Sequence, residues 1–204
     1  MKSRVKYLIG VDEVGRGPLA GPVAVGVFCV PKECRHSVST LFGDGVVRDS
    51  KKLTPVAREK IFQALVSEKR LGRILYAVAF ASAPFIDRNG ISRAIRTALC
   101  RSLDSLKVPA RECRVLLDGG LRAPEKFTRQ KTIIKGDEKE AVIALASIIA
   151  KVSRDRKMIL FSKKYPQYGF EKHKGYGTRL HYARLRAHGL SKIHRRSFLK
   201  NLPL

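Results

Sequence analysis

The stretch Tyr7-Leu8-Ile9-Gly10-Val11-Asp12-Glu13-Val14-Gly15-Arg16-Gly17-Pro18 joins a short apolar run to two adjacent carboxylates and a glycine-rich turn. Acidic residues are depleted in β-strands, so a pair of them at the end of an apolar run needs an explanation. Neighbouring side chains of a strand point to opposite faces, so Asp12 and Glu13 share a site only if the strand ends or twists there. The glycines permit positive φ angles or close approach of another molecule. Taken alone, such a pair is more typical of a surface turn with two solvated acids.

Charge is the most informative feature of the composition. The chain has 204 residues, which suits one domain, and 44% of them are apolar, which suffices for a core. Lys and Arg number 42 against 17 Asp and Glu, a formal net charge of +25. Such an excess indicates a polyanionic partner, most simply nucleic acid. An anionic membrane surface is the alternative, but no long basic amphipathic helix favours it.

The sequence predicts neither a membrane span nor a secretory leader. No apolar run has the length of a spanning helix, and the run that follows the basic residues 1–6 is interrupted by Asp12 and Glu13. The four cysteines form no CxxC pair and no Cys/His spacing typical of zinc. We therefore expect a soluble cytoplasmic protein with reduced thiols and no membrane partner.

Strand and helix patterns alternate along the chain, which is typical of an α/β domain. Apolar runs bounded by turns predict strands at residues 5–11, 23–30, 74–81, 115–118 and 132–134. Helical spacing predicts helices over residues 56–67, 91–106, 138–164 and 178–188, the last with Thr178 as its N-cap. The first two strands form a predicted hairpin, and residues 31–55 and 168–177 are predicted loops.

Acids follow apolar strands at three places in the chain. Asp12 with Glu13, then Asp118, then Asp137 each stand beside glycine or a turn. Any one of them can be an unrelated surface acid, but strand ends of α/β sheets commonly converge on a catalytic site. Four crowded carboxylates repel one another, and a divalent cation such as Mg²⁺ or Mn²⁺ relieves that repulsion. Two such ions about 3.5–4 Å apart support phosphodiester cleavage, which suits a protein with a phosphate-binding basic surface.

An ordered set of motifs resembles the ribonuclease HII family. The motifs are residues 10–21, 49–53, 117–119, 135–137, 146–152 with 154–155, 170–176 and 194–198. Together they span nearly the whole chain. The chain departs from many relatives at Gly120, where they carry Asn, and at Gly177, where they carry Pro.

The resemblance implies a fold and an activity. It implies an α/β, ribonuclease H-like fold with a central mixed β-sheet flanked by helices and a small helical C-terminal part. Residues 1–204 then form a single catalytic domain, with residues from about 165 to 204 as a basic, helical, substrate-binding extension. It further implies hydrolysis of the RNA strand of RNA/DNA hybrids and incision 5′ of a single ribonucleotide in duplex DNA, leaving 3′-hydroxyl and 5′-phosphate ends.

The resemblance also assigns roles to individual residues. It places the catalytic metal ligands at Asp12, Glu13, Asp118 and Asp137. It assigns the reading of the ribose 2′-hydroxyl to Gly15, Arg16 and Gly17, largely through the backbone, and junction sensing to Tyr176. The remaining candidates, all expected to contact phosphates, are Ser50, Lys51, Lys52, Lys174 and Arg196. Ser147 either supports the metal site or simply allows close helix packing.

Two other function classes compete with this interpretation. A non-catalytic basic nucleic-acid-binding protein explains the charge but leaves the acids unexplained. Another phosphotransferase on the same fold, such as a resolvase or integrase, explains the acids but leaves Gly15-Arg16-Gly17 and Tyr176 unexplained. The expected partners are RNA/DNA hybrids and DNA duplexes containing ribonucleotides. Nothing in the sequence demands more than a monomer, and the resemblance allows a sliding-clamp partner without a clear motif for one.

Overall fold

A mixed β-sheet lies at the centre of the computed structural model, which describes residues 4–36 and 53–200. Within those residues the sheet has five strands in the order β3-β2-β1-β4-β5. The strands are β1 (Tyr7–Val14), β2 (Val23–Pro31), β3 (Leu75–Ala81), β4 (Cys113–Asp118) and β5 (Gln130–Ile133). Strand β2 pairs antiparallel with β1 on one side and with β3 on the other, whereas the pairs β1–β4 and β4–β5 are parallel. The predicted mixed sheet and the hairpin of its first two strands are confirmed.

Helices cover both faces of this sheet. They are α1 (Pro55–Arg70), α2 (Ala83–Asn89), α3 (Ile91–Ser105), α4 (Ala141–Lys164), α5 (Phe170–His173) and α6 (Arg179–His188). One buried apolar cluster joins Ile9 and Val11 of β1 to α3. A second joins the opposite face of the sheet to α1 and α4. Burial of these two layers drives the fold, because apolar surface removed from water is its main stabilising term.

The end of β1 corrects the sequence prediction. The strand continues to Val14 rather than stopping at residue 11, because Asp12 and Glu13 remain paired with Gly26 and Val25 of β2. Pairing with β4 stops earlier, at Val11 opposite Leu117. Asp12 and Glu13 therefore pair with β2 on one side of β1 but have no pairing partner in β4 on the other side.

The start of α4 and two short helices also differ from the predictions. Helix α4 begins at Ala141 rather than near residue 138, because Gly136–Glu138 form a separate 3₁₀ turn after Lys135, whose φ is 54°. Helix α2 and the single turn α5 were missed, since each is too short to show helical periodicity. The Thr178 N-cap is confirmed, because its side chain accepts a hydrogen bond from the His181 amide at 3.2 Å.

Two glycines bring α4 unusually close to the sheet. A Cβ atom on Gly10 would lie 2.0 Å from the Val142 carbonyl oxygen, and one on Gly26 would lie 2.5 Å from the Ala146 carbonyl oxygen. Any side chain at these positions would force the helix outwards. The glycines therefore let the following turn of α4, with Ser147, approach Asp12.

The C-terminal segment packs against the turn that follows β1. A third apolar cluster combines Leu19 and Ala20 from that turn with residues after α4, among them Tyr168 and Phe170. Ala20 also forms a β-bridge with His194. All four cysteines are free thiols, as predicted. Across the described residues, none of the helices combines the length and apolarity needed to cross a bilayer.

Gly10→Ala tests the close packing of α4. We expect a loss of about 3 kcal/mol in the free energy of unfolding, because the new methyl group meets backbone that cannot rotate away. Gly120→Ala is the matched control, since nothing lies within 4 Å of the Cβ position there. Urea denaturation of both variants measures the difference, and equal stabilities would contradict the close approach.

Candidate active site

A cavity of about 390 Å³ opens where β1 leaves its pairing with β4. It is lined by Asp12, Glu13, Val14, Gly15, Arg16, Gly17, Arg58, Asp118, Ser147, Ile148, Lys151 and Tyr176. Three of the four predicted acids, all of the glycine-arginine-glycine tripeptide and Tyr176 therefore share one cavity. We call residues 15–17 the GRG turn.

Parallel pairing places Asp12 beside Asp118. The last paired residues of β1 and β4 are Val11 and Leu117, and the two acids follow them in register. Side chains alternate along β1, with Val11 on the α3 side, so Asp12 faces α4. Leu117 of β4 also packs on the α3 side, so the next side chain, Asp118, likewise faces α4. The geometry of the sheet thus gathers acids that are 106 positions apart in the sequence, from 12 to 118.

Protein donors hold each of these carboxylates. Asp12 accepts hydrogen bonds from the Ser147 hydroxyl and, at 2.7 Å, from the Glu13 amide. Glu13 forms an ion pair with Arg16, 2.8 Å from Oε1 to Nη1. Asp118 Oδ1 accepts a hydrogen bond of 2.6 Å from the Gly136 amide. The Ser147 alternative is thereby decided, because its hydroxyl supports an acid of the cavity.

The protein environment nevertheless makes two of these carboxyl groups harder to ionise. Burial raises the pKa of Asp12 to about 8, and the nearby charges of Glu13 and Asp118 raise it further against the Ser147 hydrogen bond. Burial also raises the pKa of Glu13, while Arg16 lowers it and Asp118 raises it. Burial is the main cause of both raised pKa values and the neighbouring acids add to it, a combination typical of functional sites.

The donor set fits a hard divalent cation. Glu13 Oε2 is buried and accepts no hydrogen bond from the described residues, so it has an unused pair of electrons facing other acids. Carboxylate oxygens are the ligands that Mg²⁺ and Mn²⁺ prefer. Over residues 4–36 and 53–200, no three His, Cys, Asp or Glu side chains are already arranged to hold an ion. Oxygens of Asp12 and Asp118 instead accept hydrogen bonds from Ser147, Glu13 and Gly136.

Asp137 lies behind the cavity rather than in its wall. It is 1% exposed and sits in the 3₁₀ turn Gly136–Glu138 that precedes α4. Its neighbour Gly136 donates to Asp118, and a Cβ on Gly136 would lie 3.3 Å from Asp118 Oδ1. The fourth predicted acid therefore follows a residue that contacts Asp118, and it is more deeply buried than Asp12.

The GRG turn has two different glycines. Gly15 has a φ of 91°, and a Cβ there would lie 2.2 Å from Nε of Arg154. Gly17 has open space, with nothing within 4 Å of its Cβ position. Gly15 is thus required by the fold of the turn, whereas Gly17 leaves its surface free for another molecule.

Tyr176 lines the cavity and is 39% exposed as a residue. The Lys151 ammonium lies 5.9 Å and the Arg154 guanidinium 5.7 Å from the centre of this ring. The backbone is held as well, because the Tyr176 carbonyl is 2.9 Å from Nδ1 of His181 and accepts from the Thr178 amide at 2.8 Å. Tyr176 therefore presents a fixed aromatic face beside the carboxylates.

The remaining predicted contacts are more scattered. Ser50, Lys51 and Lys52 lie outside the described residues. Lys174 does not line the cavity, and its ammonium donates to the Glu171 carbonyl. Arg196 lines a different cavity of about 540 Å³, beside α2.

Sequence reasoning missed two cations in the wall. Lys151 lies one turn after Ser147 on α4, so helical spacing within one motif was a usable signal. Arg58 comes from α1 and had no local signal, because only the packing of α1 against α4 brings it to the cavity.

Comparison with known proteins decides the family. The family model described as Ribonuclease HII matches residues 9–201. The chain belongs to the ribonuclease HII family. It is 44% identical over 197 residues to a ribonuclease HII of Caldicellulosiruptor bescii, covering 97% of this chain and 88% of the relative. It is thus a ribonuclease H endonuclease of a family that cleaves the RNA of RNA/DNA hybrids, and the non-catalytic and resolvase-like alternatives are rejected.

Solved structures agree on the fold. The ribonuclease H2 of Pyrococcus horikoshii OT3 is 28% identical with a TM-score of 0.73, covering 94% of this chain and 93% of that one. A structure titled Bst-RNase HIII in complex with Mn²⁺ is 21% identical with a TM-score of 0.66, covering 96% of this chain and 65% of that one. The predicted ribonuclease H-like fold is therefore confirmed.

Asp12→Asn tests the charge crowding. In the folded protein the pKa of Asp12 is raised from 3.8 to about 8, so the wild-type fold loses stability as the pH rises between these values. We expect the substitution to stabilise the metal-free protein by on the order of 2 kcal/mol at pH 8, and by much less at pH 5.

Urea unfolding in a metal chelator measures this difference at both pH values. Asp104→Asn is the control, because Asp104 is an exposed acid outside the cavity, paired with Lys126 at 2.6 Å. A stabilisation by Asp12→Asn that is equal at pH 5 and pH 8 would contradict the raised pKa.

Proposed function

We propose that this chain is a divalent-metal-dependent endoribonuclease that cuts on the 5′ side of a single ribonucleotide embedded in duplex DNA. It also hydrolyses the RNA strand of RNA/DNA hybrids, and the products carry 3′-hydroxyl and 5′-phosphate ends. One observation carries the proposal: Asp12, Glu13 and Asp118 share a cavity with the GRG turn and Tyr176. Groups suited to cutting a phosphodiester thus adjoin groups suited to reading a ribose.

The acids have the catalytic role in this proposal. Asp12, Glu13 and Asp118 would hold Mg²⁺ or Mn²⁺, with Asp137 as the fourth ligand. A pair of such ions, when bound, activates water and stabilises the leaving oxygen during phosphodiester hydrolysis. Ser147 orients Asp12, and Gly136 orients Asp118 through its amide. Arg16 neutralises part of the charge of Glu13.

In this proposal, the GRG turn and Tyr176 recognise the ribose of the substrate. The 2′-hydroxyl is the group that distinguishes RNA from DNA, and main-chain groups can approach it only where side chains are absent. Gly17 offers such a surface, because its Cβ position is open. Tyr176 packs its exposed ring on the adjoining sugar, so a ribose is recognised from two sides of the cavity.

Cations around the cavity hold the phosphate backbone. Lys151 and Arg58 line the cavity itself. Lys174 and Arg196 extend the contacts over the C-terminal segment, which acts as a substrate-binding extension from about residue 165. Ser50, Lys51 and Lys52 supply further contacts. These groups set affinity and position without reading sequence. The protein acts as a monomer in the cytoplasm, and a sliding clamp remains a permitted partner.

The direct experiment uses a DNA duplex with one internal ribonucleotide, labelled at the 5′ end of that strand. We expect the protein to produce one nick 5′ of the ribonucleotide with Mg²⁺ or Mn²⁺ and none with a chelator. The same duplex with a deoxyribonucleotide at that position stays intact. Cutting on the 3′ side, or no cutting with either ion, would reject the proposal.

Gly17→Ala separates substrate recognition from folding. We expect the variant to unfold within about 0.5 kcal/mol of the wild type, because its methyl group meets no protein atom. Ribonucleotide cleavage should nevertheless fall by roughly 100-fold, because the methyl group displaces the sugar. Gly120→Ala, equally open but outside the cavity, should cleave normally. Full activity of Gly17→Ala would remove the GRG turn from the ribose contact.

A further inference from the structure

Two fully buried arginines lie beneath the GRG turn. Arg154 comes from α4 and Arg195 from the C-terminal segment, and both have 0% of their surface exposed. Neither forms an ion pair with a carboxylate of the described residues. Burial lowers the pKa of both guanidinium groups, that of Arg195 to about 9. A buried cation without a carboxylate partner needs other compensation, and here it comes from hydrogen-bond acceptors.

Both guanidinium groups donate their hydrogen bonds to backbone carbonyls. Arg195 donates to the carbonyls of Gly15 at 2.6 Å, Arg16 at 2.7 Å and Gly21 at 3.0 Å. Arg154 donates to those of Pro22 at 2.9 Å, Lys174 at 3.0 Å and Ala20 at 3.2 Å. Five of these six acceptors lie between residues 15 and 22. The pair therefore fixes the peptide planes of the segment that follows β1.

Those bonds set the direction of the amides in the GRG turn. The carbonyl of one residue and the N–H of the next belong to a single trans peptide group, so they point in opposite directions. Arg195 draws the Gly15 and Arg16 carbonyls inwards. The N–H groups of Arg16 and Gly17 then point away from Arg195, and neither donates to another described atom. These two N–H groups therefore belong to residues that line the cavity and have no acceptor among the described atoms.

Arg154 joins the GRG turn to Tyr176. Its Nε lies where a Gly15 side chain would otherwise be, its Nη1 holds the Lys174 carbonyl, and its guanidinium lies 5.7 Å from the Tyr176 ring centre. The amides of Leu19 and Ala20 reinforce this connection by donating to the Gly175 carbonyl at 2.8 and 3.3 Å. One side chain therefore contacts both walls that would enclose a ribose.

We propose that Arg154 and Arg195 are positioning residues for ribose recognition, holding the amides of the GRG turn and the ring of Tyr176 at a fixed spacing across the cavity. The inference rests on the proposed function, because the arginines hold in place the groups that the proposed function assigns to ribose recognition. The arginines touch no substrate themselves. They act by orienting peptide groups, and their charge strengthens the outward amides as donors by polarising those peptides.

The test measures selectivity rather than activity alone. Arg195→Lys and Arg154→Lys each keep the positive charge but replace a planar fork, which reaches three carbonyls, by a single ammonium. Affinity is measured in a chelator for two duplexes that differ only in one ribose or deoxyribose. We expect the wild type to prefer the ribonucleotide duplex, and each variant to lose most of that preference while binding the all-DNA duplex within about twofold of wild type. Cleavage with metal should fall by about 100-fold.

Ser102→Ala is the matched control for a purely structural effect. Ser102 is fully buried and bridges the Val25 carbonyl and the Ala79 amide at 2.8 and 3.0 Å, on the α3 side of the sheet. This variant should lose stability yet keep the ribose preference. Arginine variants that lose stability and keep the preference would overturn the proposal. If the wild type itself shows no ribose preference and no nick, the proposed function fails instead.

A measurement on the wild type covers the case in which the arginine variants do not fold. In a chelator, the NMR amide signals of Arg16 and Gly17 should shift on adding the ribonucleotide duplex and move much less with the all-DNA duplex. Equal shifts with both duplexes would overturn the proposal, because oriented amides would then play no part in telling ribose from deoxyribose.

Discussion

The rest of this structure depends on one constraint: acidic side chains must lie close together where β1 and β4 end their pairing. Asp12 and Asp118 meet because β1 and β4 are parallel and end their pairing at the same level. Helix α4 can cover them only because Gly10 and Gly26 leave room for its backbone. The raised pKa of Asp12 records the cost of this arrangement. A fold under no functional demand would disperse such charges, since the burial of unpaired carboxylates opposes stability.

The rest of the charge distribution complements that edge. The chain carries a formal net charge of +25, yet the cavity wall has three acids beside the cations Arg16, Arg58 and Lys151. A surface with this excess of cations attracts polyanions, whereas the cavity gathers three acids where β1 and β4 end their pairing. Beneath the same wall, buried guanidinium groups turn backbone carbonyls inwards and leave amides for the cavity. The acids of the cavity and the peptide groups that the buried arginines hold therefore adjoin one another at the turn after β1.

The sequence predicted most of this because its strongest signals are local. The hairpin, the long α4, the acids at strand ends and the GRG turn all follow from short patterns of apolar residues, glycines and acids. Arg58 could not be predicted, because only packing between α1 and α4 brings it to the wall. The extent of β1 was misjudged because pairing with β2 overrides the low strand propensity of acids. Arg154 and Arg195 lie within the sequence motifs, but their burial could not be predicted. It results from packing against residues 15–22, which are distant in the sequence.

The central claim is that the strand-end carboxylates together bind divalent cations. Calorimetric titration of the metal-free protein with Mn²⁺ tests it most directly, with Asp118→Asn and the exposed-acid control Asp104→Asn alongside. We predict saturable binding by the wild type and by Asp104→Asn, and a loss of at least about tenfold in affinity for Asp118→Asn, because one ligand charge has been removed. Wild-type affinity in Asp118→Asn, or no saturable binding by the wild type, would contradict the account.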